Sequence, residues 1–491
     1  MTDARPRTVV VLAAGEGKRM KSAVPKVLHP LLGRSLLGHV LEAAAPLGAQ
    51  RTLVVVGHGA PQVTAHLAGI APDATAVLQA DQRGTGHAVR IALAELSEAD
   101  GTVVVLNGDV PLLHPETIAG LVEAHETTGS AATVLTAHVT DPTGLGRIVR
   151  TPENSFAGIV EERDATDEQR LVAEINAGIY AFDAAALADA LGKVDTHNDQ
   201  GEEYLTDVIE LLAGAGHGVL AHPVADEVQA LGCNDRAQLA ELRALLRDRV
   251  NGHWMAEGVT IVDPLTTWID VTVALDRDVV VEPNTHLRGA TAIAEGAAIG
   301  PDTTLLDVRV EPGATVVRTH AVQAHIGPRA SVGPYAYLRP GTVLGEQVKV
   351  GTFVEVKNSD VGTGSKIPHL SYVGDATVGE HSNIGAANVT VNYDGTTKHR
   401  TVIGSHVRTG CDTMLVAPVE IGDGAYTGAG TVVRRNVPPG ALAVSGGSQR
   451  TLEGWVETRR KGSAAAEAAR RAREGAATQR EEPEAERGAD G

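Results

Sequence analysis

The first residues with chemistry in their spacing are Gly15-Glu-Gly-Lys-Arg19, directly after the apolar run Thr8–Leu12. Backbone N–H groups at such a glycine turn suit a phosphate chain, and Lys18 and Arg19 would neutralise it. Pro25-Lys26 follows at close range, and Asn107-Gly-Asp109 closes the next hydrophobic run. Asp109 is thereby set where Mg²⁺ can be held through one or two protein oxygens. The turn is not a P-loop, which needs four residues between its glycines, and it lacks the third glycine of the dinucleotide fingerprint. By itself it serves equally as a tight strand-to-helix connection; Lys26 and Asp109 shift the reading toward phosphoryl chemistry. A second candidate is His369, in Ile367-Pro-His-Leu-Ser-Tyr372, shortly before a segment carrying Asn392, Tyr393 and Lys398. An imidazole with an unperturbed pKa of about 6.5 suits general-base work. The chain has 19 histidines, however, and a lone one is more often a surface or satisfied core residue, so the residues alone leave both readings open.

The elements that must position these groups are of two kinds. In the first half, Thr8–Leu12, Thr52–Val56 and Thr102–Leu106 alternate with helix-length amphipathic stretches such as Leu36–Ala45 and His87–Leu96. This predicts a largely parallel α/β sheet, Rossmann-like, with helices on both faces and ligands at the carboxyl ends of the strands. Leu239, Leu242, Leu245, Leu246 and Val250 recur at helical spacing, predicting a connecting helix over 235–254 that Asn251-Gly252 would stop.

Beyond it, from about Val279 to Leu442, the period becomes six. Ile326, Val332, Leu338, Leu344 and Val350 are each followed by Gly, or once by Arg339; Val361, Ile367 and Val373 continue, then Ile403, Thr409, Leu415, Ile421 and Thr427. Such hexads predict a three-sided left-handed parallel β-helix, one aliphatic residue per side pointing inward and a small residue turning each corner. The phase breaks between Ala387 and Val402, which predicts an inserted loop over Asn388–Arg400, and loops on a rigid coil are where sites are built. The stacked coils leave side faces on which a homotrimer can form.

The opening Leu12-Ala-Ala-Gly-Glu-Gly-Lys-Arg-Met20 resembles the sugar-1-phosphate nucleotidyltransferase family. Gln79, Gly84-Thr85-Gly86, Asn107-Gly108-Asp109, Gly146-Arg147, Gly158–Glu161, Glu174-Ile-Asn176 and Gly232-Cys-Asn234 fall in that family's order. With the hexad repeats attached, the chain to about Trp455 resembles the bacterial bifunctional N-acetylglucosamine-1-phosphate uridylyltransferase/glucosamine-1-phosphate N-acetyltransferase family. The resemblance implies a uridylyltransferase domain over 1–234 and an acetyltransferase domain over 255–458. It implies Leu12, Ala13, Gly15, Gln79, Gly84 and Thr85 around UTP with Lys26 on its phosphates, Gly146, Glu161, Asn176 and Asn234 on the sugar, and Asp109 with Asn234 on Mg²⁺. In the second domain it implies His369 as general base, with Arg339, Lys357, Tyr372, Asn383 and Lys398 gripping glucosamine-1-phosphate. Ala386, Asn392, Tyr393, Cys411 and Ala429 would lie around acetyl-CoA. The two reactions would lead to UDP-N-acetylglucosamine for cell-wall precursors.

Two positions depart from the family pattern. Cys411 stands where serine is commonest, and a thiol is the weaker hydrogen-bond partner. Gly446 stands where many members have arginine, a loss on the coenzyme A phosphates that Arg450 would offset. The rival reading is a single-activity hexose-1-phosphate nucleotidyltransferase with an assembly-only β-helix, as in glucose-1-phosphate adenylyltransferases. His369 and the Asn392–Lys398 segment argue against it, since a scaffold has no use for them.

Composition bounds the rest. At 491 residues the chain exceeds a single core. A net charge of -19 without a basic stripe argues against nucleic acid, and no stretch approaches the roughly 18 apolar residues of a membrane span. Only Cys233 and Cys411 are present, too isolated for a redox pair, which fits a soluble protein of a reducing, cytoplasmic compartment. From Arg459 the chain is Ala-, Glu-, Arg- and Gly-rich without aromatics; over 459–491 disorder is expected, interrupted at most by a short helix around Ala464–Arg473.

Overall fold

The computed structural model describes residues 5–96, 100–152, 156–196, 201–447 and 449–478. In the first half, a sheet runs in the order Val219–Pro223, Ala132–His138, Glu174–Asp183, Thr102–Asn107, Arg7–Ala13, Arg51–Val56 and Thr75–Leu78. The middle strands read as unbroken Val runs because both their faces are covered. Val9 and Val11 pack among Val40, Leu67 and Leu121, whereas Val10 packs on the other side among Val89, Leu187 and Val208. The sheet is parallel around Arg7–Ala13, as expected, but Glu174–Asp183 runs antiparallel to both its neighbours. Its register shifts between Asn176 and Tyr180, and there Gly178 adopts φ +70°, where a Cβ would run into the Asn107 side-chain amide. That bulge carries Asn176 to the same edge as Asn107.

The connecting helix spans Arg236–Ala256, capped by the Asp235 carboxylate, which accepts from the N–H groups of Ala237 and Gln238, both at 2.9 Å. Leu239, Leu242 and Leu246 are buried against Met20, Leu31, Leu36 and Leu112 of the first half. Asn251-Gly252 does not stop it. The Asn251 side chain is buried and donates to the carbonyls of Pro264 (2.9 Å) and Thr267 (3.1 Å), so it ties the helix to the first coil instead of ending it. Val250 and Trp254 then pack onto the β-helix core.

The second half is the expected three-sided β-helix. Its first face begins at Thr260–Ile261, runs to Lys366–His369 and continues through the bridged Asn383 and Arg408 to Tyr426–Thr427 and Leu442–Ala443; the second runs from Trp268–Ile269 to Val432–Val433, and the third from Ala274–Leu275 to Val419–Ile421. Every strand pairs in parallel with its counterpart one coil on, as Leu338 does with Val356 and Val356 with Val373. The prism thus starts well before Val279. The sequence hides its first coil because Ile261 and Ile269 stand further apart than one hexad. The inward residues from Ile326 to Thr427 are all buried.

Apart from Gly333 (φ 101°), the glycines after them do not take the positive φ of the corner turns. Those fall to Phe353 (φ 57°), Leu370 (52°), Ala387 (55°) and Asp412 (57°). The glycines serve close approach: a Cβ on Gly345 would lie 3.0 Å from the Val361 carbonyl, and one on Gly351 would strike the Pro368 carbonyl.

The loop is also shorter than the broken phase implies. Val389–Val391 continues the second face, pairing with Tyr372 and with Met414–Val416, and leaves only Asn392–Arg400 to project. At the end of the chain, helices cover Trp455–Arg459 and Ala464–Thr478, longer order than composition suggests; residues 479–491 lie outside the described residues. Alanine gives up no side-chain entropy in this 15-residue helix, and Arg473 ties it to Glu457 of the preceding one at 3.1 Å. No described helix is long and apolar enough to cross a membrane.

Gly351→Ala should force apart the coils carrying Gly351 and Pro368, costing about 1–3 kcal/mol and lowering the midpoint of thermal unfolding.

Candidate active sites

At the carboxyl edge of the first sheet lie two adjoining cavities. One, of about 390 Å³, is lined by Leu12, Ala13, Gly15, Lys26, Gln79, Gly84, Thr85 and Asp109 among others. The other, of about 240 Å³, is lined by Gly146, Glu161, Asn176 and Asn234. Leu12, Thr85, Asn107 and Asp109 belong to both, so the pair forms one bipartite cleft. Asp109 stands at the junction, ion-paired with Lys26. Its carbonyl accepts from the Cys233 N–H at 2.9 Å, which holds Asn234 beside it.

Around Gly15 a Cβ would meet nothing within 4 Å, so the backbone of the turn is open to a ligand. Lys18 and Arg19, by contrast, line neither cavity: the short turn Lys18–Met20 buries Met20, both basic residues are exposed, and Lys18 pairs with Glu16 at 3.1 Å. Gln82, which sequence reasoning missed, donates to the Ala14 carbonyl at 2.7 Å and lines the first cavity. Its position midway between Gln79 and Gly84 was the available signal.

In the second cavity Asn176 is fixed from both ends, donating to the Tyr180 hydroxyl (2.7 Å) and accepting from the Gly178 N–H (3.0 Å). Thr206 donates to Glu161 at 3.4 Å, and burial pushes the Glu161 carboxyl above its usual range. Next to Thr206, burial and the nearby Glu210, Asp195 and Glu161 push Asp207 up to about 6.

The β-helix gathers its candidates at two corners. At the corner between first and second faces, His369, Ala386, Cys411 and Ala429 stack one per coil. The carbonyls of the first three accept from Ala387 (3.2 Å), Asp412 (2.7 Å) and Gly430 (2.9 Å), respectively. His369 is exposed. Asn383 lies on the adjoining first face, bridged between Lys366 and Arg408.

Arg339, Lys357, Lys398 and Asn392 occupy the opposite edge of the second face. Tyr372 lies between the corners, its hydroxyl accepting from Asn392 at 3.2 Å. That corner is organised by a residue the sequence did not single out. Asp375, buried, accepts from Lys357 (3.0 Å), from Asn358 (2.7 Å) and from Asn392 (2.5 Å). Bonding to Asp375 raises the Lys357 ammonium, while Lys357 beside it lowers Lys398. Crowded cations of this kind are relieved by an anion such as a phosphate. The projecting loop is pinned rather than loose, with Asp394 accepting from the N–H groups of Thr396 (2.8 Å) and Thr397 (2.7 Å) and from His399 (2.7 Å). The residues grouped by resemblance thus divide differently in space within one chain. Asn392 and Tyr393 sit by the cationic corner, not in the Ala386–Ala429 column, and Asn383 sits by the histidine corner.

Residues 9–260 match the model of the MobA-like NTP transferase domain, and residues 320–421 match that of the GMPPB C-terminal domain. The chain is 59% identical over 471 residues to the bifunctional protein GlmU of Streptomyces coelicolor, a match spanning 96% of this chain and 98% of that protein. Over 477 residues it is 59% identical to the bifunctional protein GlmU of Thermobifida fusca, with 96% and 99% covered. For that of Corynebacterium diphtheriae the identity is 53% over 476 residues, with 96% and 98% covered. Both cleft and β-helix fall inside these spans. The chain belongs to the bifunctional GlmU family. As a GlmU-type enzyme it is a transferase with two activities, acetyl transfer and uridylyl transfer, which together produce UDP-N-acetylglucosamine.

Two outcomes follow from these sites. Asp375→Asn removes the charge that collects Lys357, Asn358 and Asn392, so acetyl transfer should fall about 10- to 100-fold in thioester-consumption assays while pyrophosphate release is unchanged. Asp207 binds its proton more tightly folded than unfolded, so its contribution to stability is present below pH about 4 and is lost as pH rises through about 6. Asp207→Asn should therefore flatten the fall in melting temperature across that window.

Proposed function

We propose that the β-helix acetylates glucosamine-1-phosphate with acetyl-CoA, and that the N-terminal cleft then transfers UMP from UTP to the N-acetylglucosamine-1-phosphate formed. The observation that carries this reading is the presence of two separate constellations on one chain. One is a bipartite cleft with Asp109 at its junction; the other is a β-helix bearing both an exposed histidine column and an anchored cationic corner. An assembly-only β-helix has no need to bury Asp375 in order to hold Lys357.

In the β-helix, the phosphate of glucosamine-1-phosphate is assigned to Arg339, Lys357 and Lys398, with Tyr372 and Asn383 around the sugar. The amine attacks the acetyl carbonyl carbon; the new C–N bond forms as the C–S bond breaks. His369 takes the amine proton, and the departing thiolate of coenzyme A is protonated in turn. Ala386, Cys411 and Ala429 line the track of the acyl donor, with Asn392 and Tyr393 closing it. Because the two sets of residues stand at different corners of one chain, each site draws one corner from a neighbouring copy. The exposed column Tyr335, Phe353 and Leu370, in which Tyr335 and Phe353 stack at 5.5 Å, supports a homotrimer.

In the cleft, the uridine and phosphates of UTP are assigned to Leu12, Ala13, Gly15, Gln79, Gly84 and Thr85 with Lys26. The acetylated sugar is assigned to Gly146, Glu161, Asn176 and Asn234. An oxygen of the sugar phosphate bonds to the α-phosphorus as the bond to the bridging oxygen breaks, expelling pyrophosphate. No protein nucleophile is required, since a phosphate monoester is already ionised near neutral pH, and positioning does most of the work.

Asp109 and Asn234 offer two hard oxygen ligands side by side, and Mg²⁺ takes only one or two from protein when substrate phosphates supply others. Bound there, Mg²⁺ would neutralise charge on the transferring phosphoryl group. Free cysteines and a small-molecule substrate set support a cytoplasmic enzyme.

Purified protein given glucosamine-1-phosphate, acetyl-CoA, UTP and Mg²⁺ should release thiol and pyrophosphate. His369→Ala should abolish thiol release and spare pyrophosphate release from N-acetylglucosamine-1-phosphate; Asp109→Ala should do the reverse. Loss of both activities in either variant would contradict two independent sites.

A further inference from the structure

The two cavities of the N-terminal cleft share Thr85, and the wall they share is stitched along a short seam. The strip Arg83–Gly86 faces Glu203–Leu205. The Glu203 N–H donates to the Arg83 carbonyl (2.8 Å), the Gly86 N–H donates to the Glu203 carbonyl (2.8 Å), and the Leu205 N–H donates to the Thr85 hydroxyl (3.0 Å). The approach is close enough that a Cβ on Gly84 would strike the Glu203 carbonyl.

The Glu203 side chain, 7% exposed, turns back across this seam and accepts from Arg83 (2.5 Å) and Arg90 (2.6 Å). Arg90 lies on the helix Thr85–Leu93, whose start forms the floor of the first cavity. Leu205 and Thr206, which follow Glu203, line the second cavity, where Thr206 donates to Glu161. Glu203 itself lines neither cavity. A buried carboxylate shared by two guanidinium groups is rigid, since each charge-assisted bond limits the freedom of the other.

We propose that Glu203 is a positioning residue for uridylyl transfer: clamped by Arg83 and Arg90, it fixes the Gly84-Thr85 strip that holds the nucleotide against the Leu205-Thr206 strip that borders the sugar. The clamp sets the separation between the α-phosphorus and the attacking sugar phosphate, while each half-site keeps its own contacts. It therefore acts on alignment more than on binding of either substrate. In-line displacement is sensitive to such alignment, a misplacement of about 1 Å costing on the order of 100-fold.

This inference rests on the assignment of the cleft to uridylyl transfer, and the full-length enzyme tests the two separately. Wild-type protein lacking UTP-dependent pyrophosphate release would defeat the assignment itself. With wild-type release established, Glu203→Gln, which keeps the shape and loses the charge, should lower kcat for pyrophosphate release about tenfold. The KM values for UTP and N-acetylglucosamine-1-phosphate should stay within about threefold. Glu203→Ala should fall further, about 100-fold, and Arg90→Ala should fall in the same direction, while acetyl transfer by the same preparations is unchanged. Wild-type kcat in both Glu203 variants, with only a lowered unfolding midpoint, would overturn the proposal. So would a parallel loss of acetyl transfer in both, which would make Glu203 a folding residue, or a rise in KM alone, which would make it a binding one.

Discussion

The coil-to-coil hydrogen bonds of the β-helix are the constraint on which the second half of the molecule depends. Each coil must present its N–H and C=O groups to the next in strict register, because a narrow prism filled by one aliphatic residue per side leaves no interior partner for them. Register then propagates to the outside. Once Val356 lies over Leu338 and Val373 over Val356, the residues that follow them, Arg339, Lys357 and Gly374-Asp375, have no choice but to share a corner. The same stacking lines up His369, Ala386, Cys411 and Ala429 at the other corner, although they are scattered over the sequence.

A rigid coil of this kind cannot bring its own two corners together. The cationic corner around Asp375 and the histidine column lie at opposite edges of one face, with Tyr372 between them and bonded to Asn392. On the outside of the same prism Tyr335 and Phe353 stand exposed, with their rings stacked at 5.5 Å.

The first half meets the opposite requirement. Its two cavities adjoin at one sheet edge, and phosphoryl transfer relies on alignment in place of a protein nucleophile. The bulge at Gly178, the Asp109–Cys233 bond and the seam at Glu203 all tie together segments that wall these cavities. The helix Arg236–Ala256 joins this sheet to the coil by packing its leucines on one and Asn251, Val250 and Trp254 on the other, so the two halves share an apolar surface, not merely a tether.

Much of this was legible in the residues. Aliphatic hexads specify a three-sided coil because only one residue in six can reach the axis, and Val-rich runs alternating with amphipathic segments specify a covered sheet because both patterns record which side chains avoid water. Gly15, Lys26, Asp109 and His369 stand out in the sequence because their types suit chemistry; folding brings the first three to one cavity and leaves His369 exposed on the coil. What the sequence left undecided is everything that depends on contacts across the chain. The antiparallel course of Glu174–Asp183, the passage of the connecting helix through Asn251-Gly252 and the short extent of the loop at Asn392–Arg400 each reflect a tertiary partner overriding a local signal. Asp375 and Glu203 are ordinary acids in sequence. They become organising groups only when folding removes them from water beside Lys357 or Arg90, where an unpaired carboxylate would be too costly to keep.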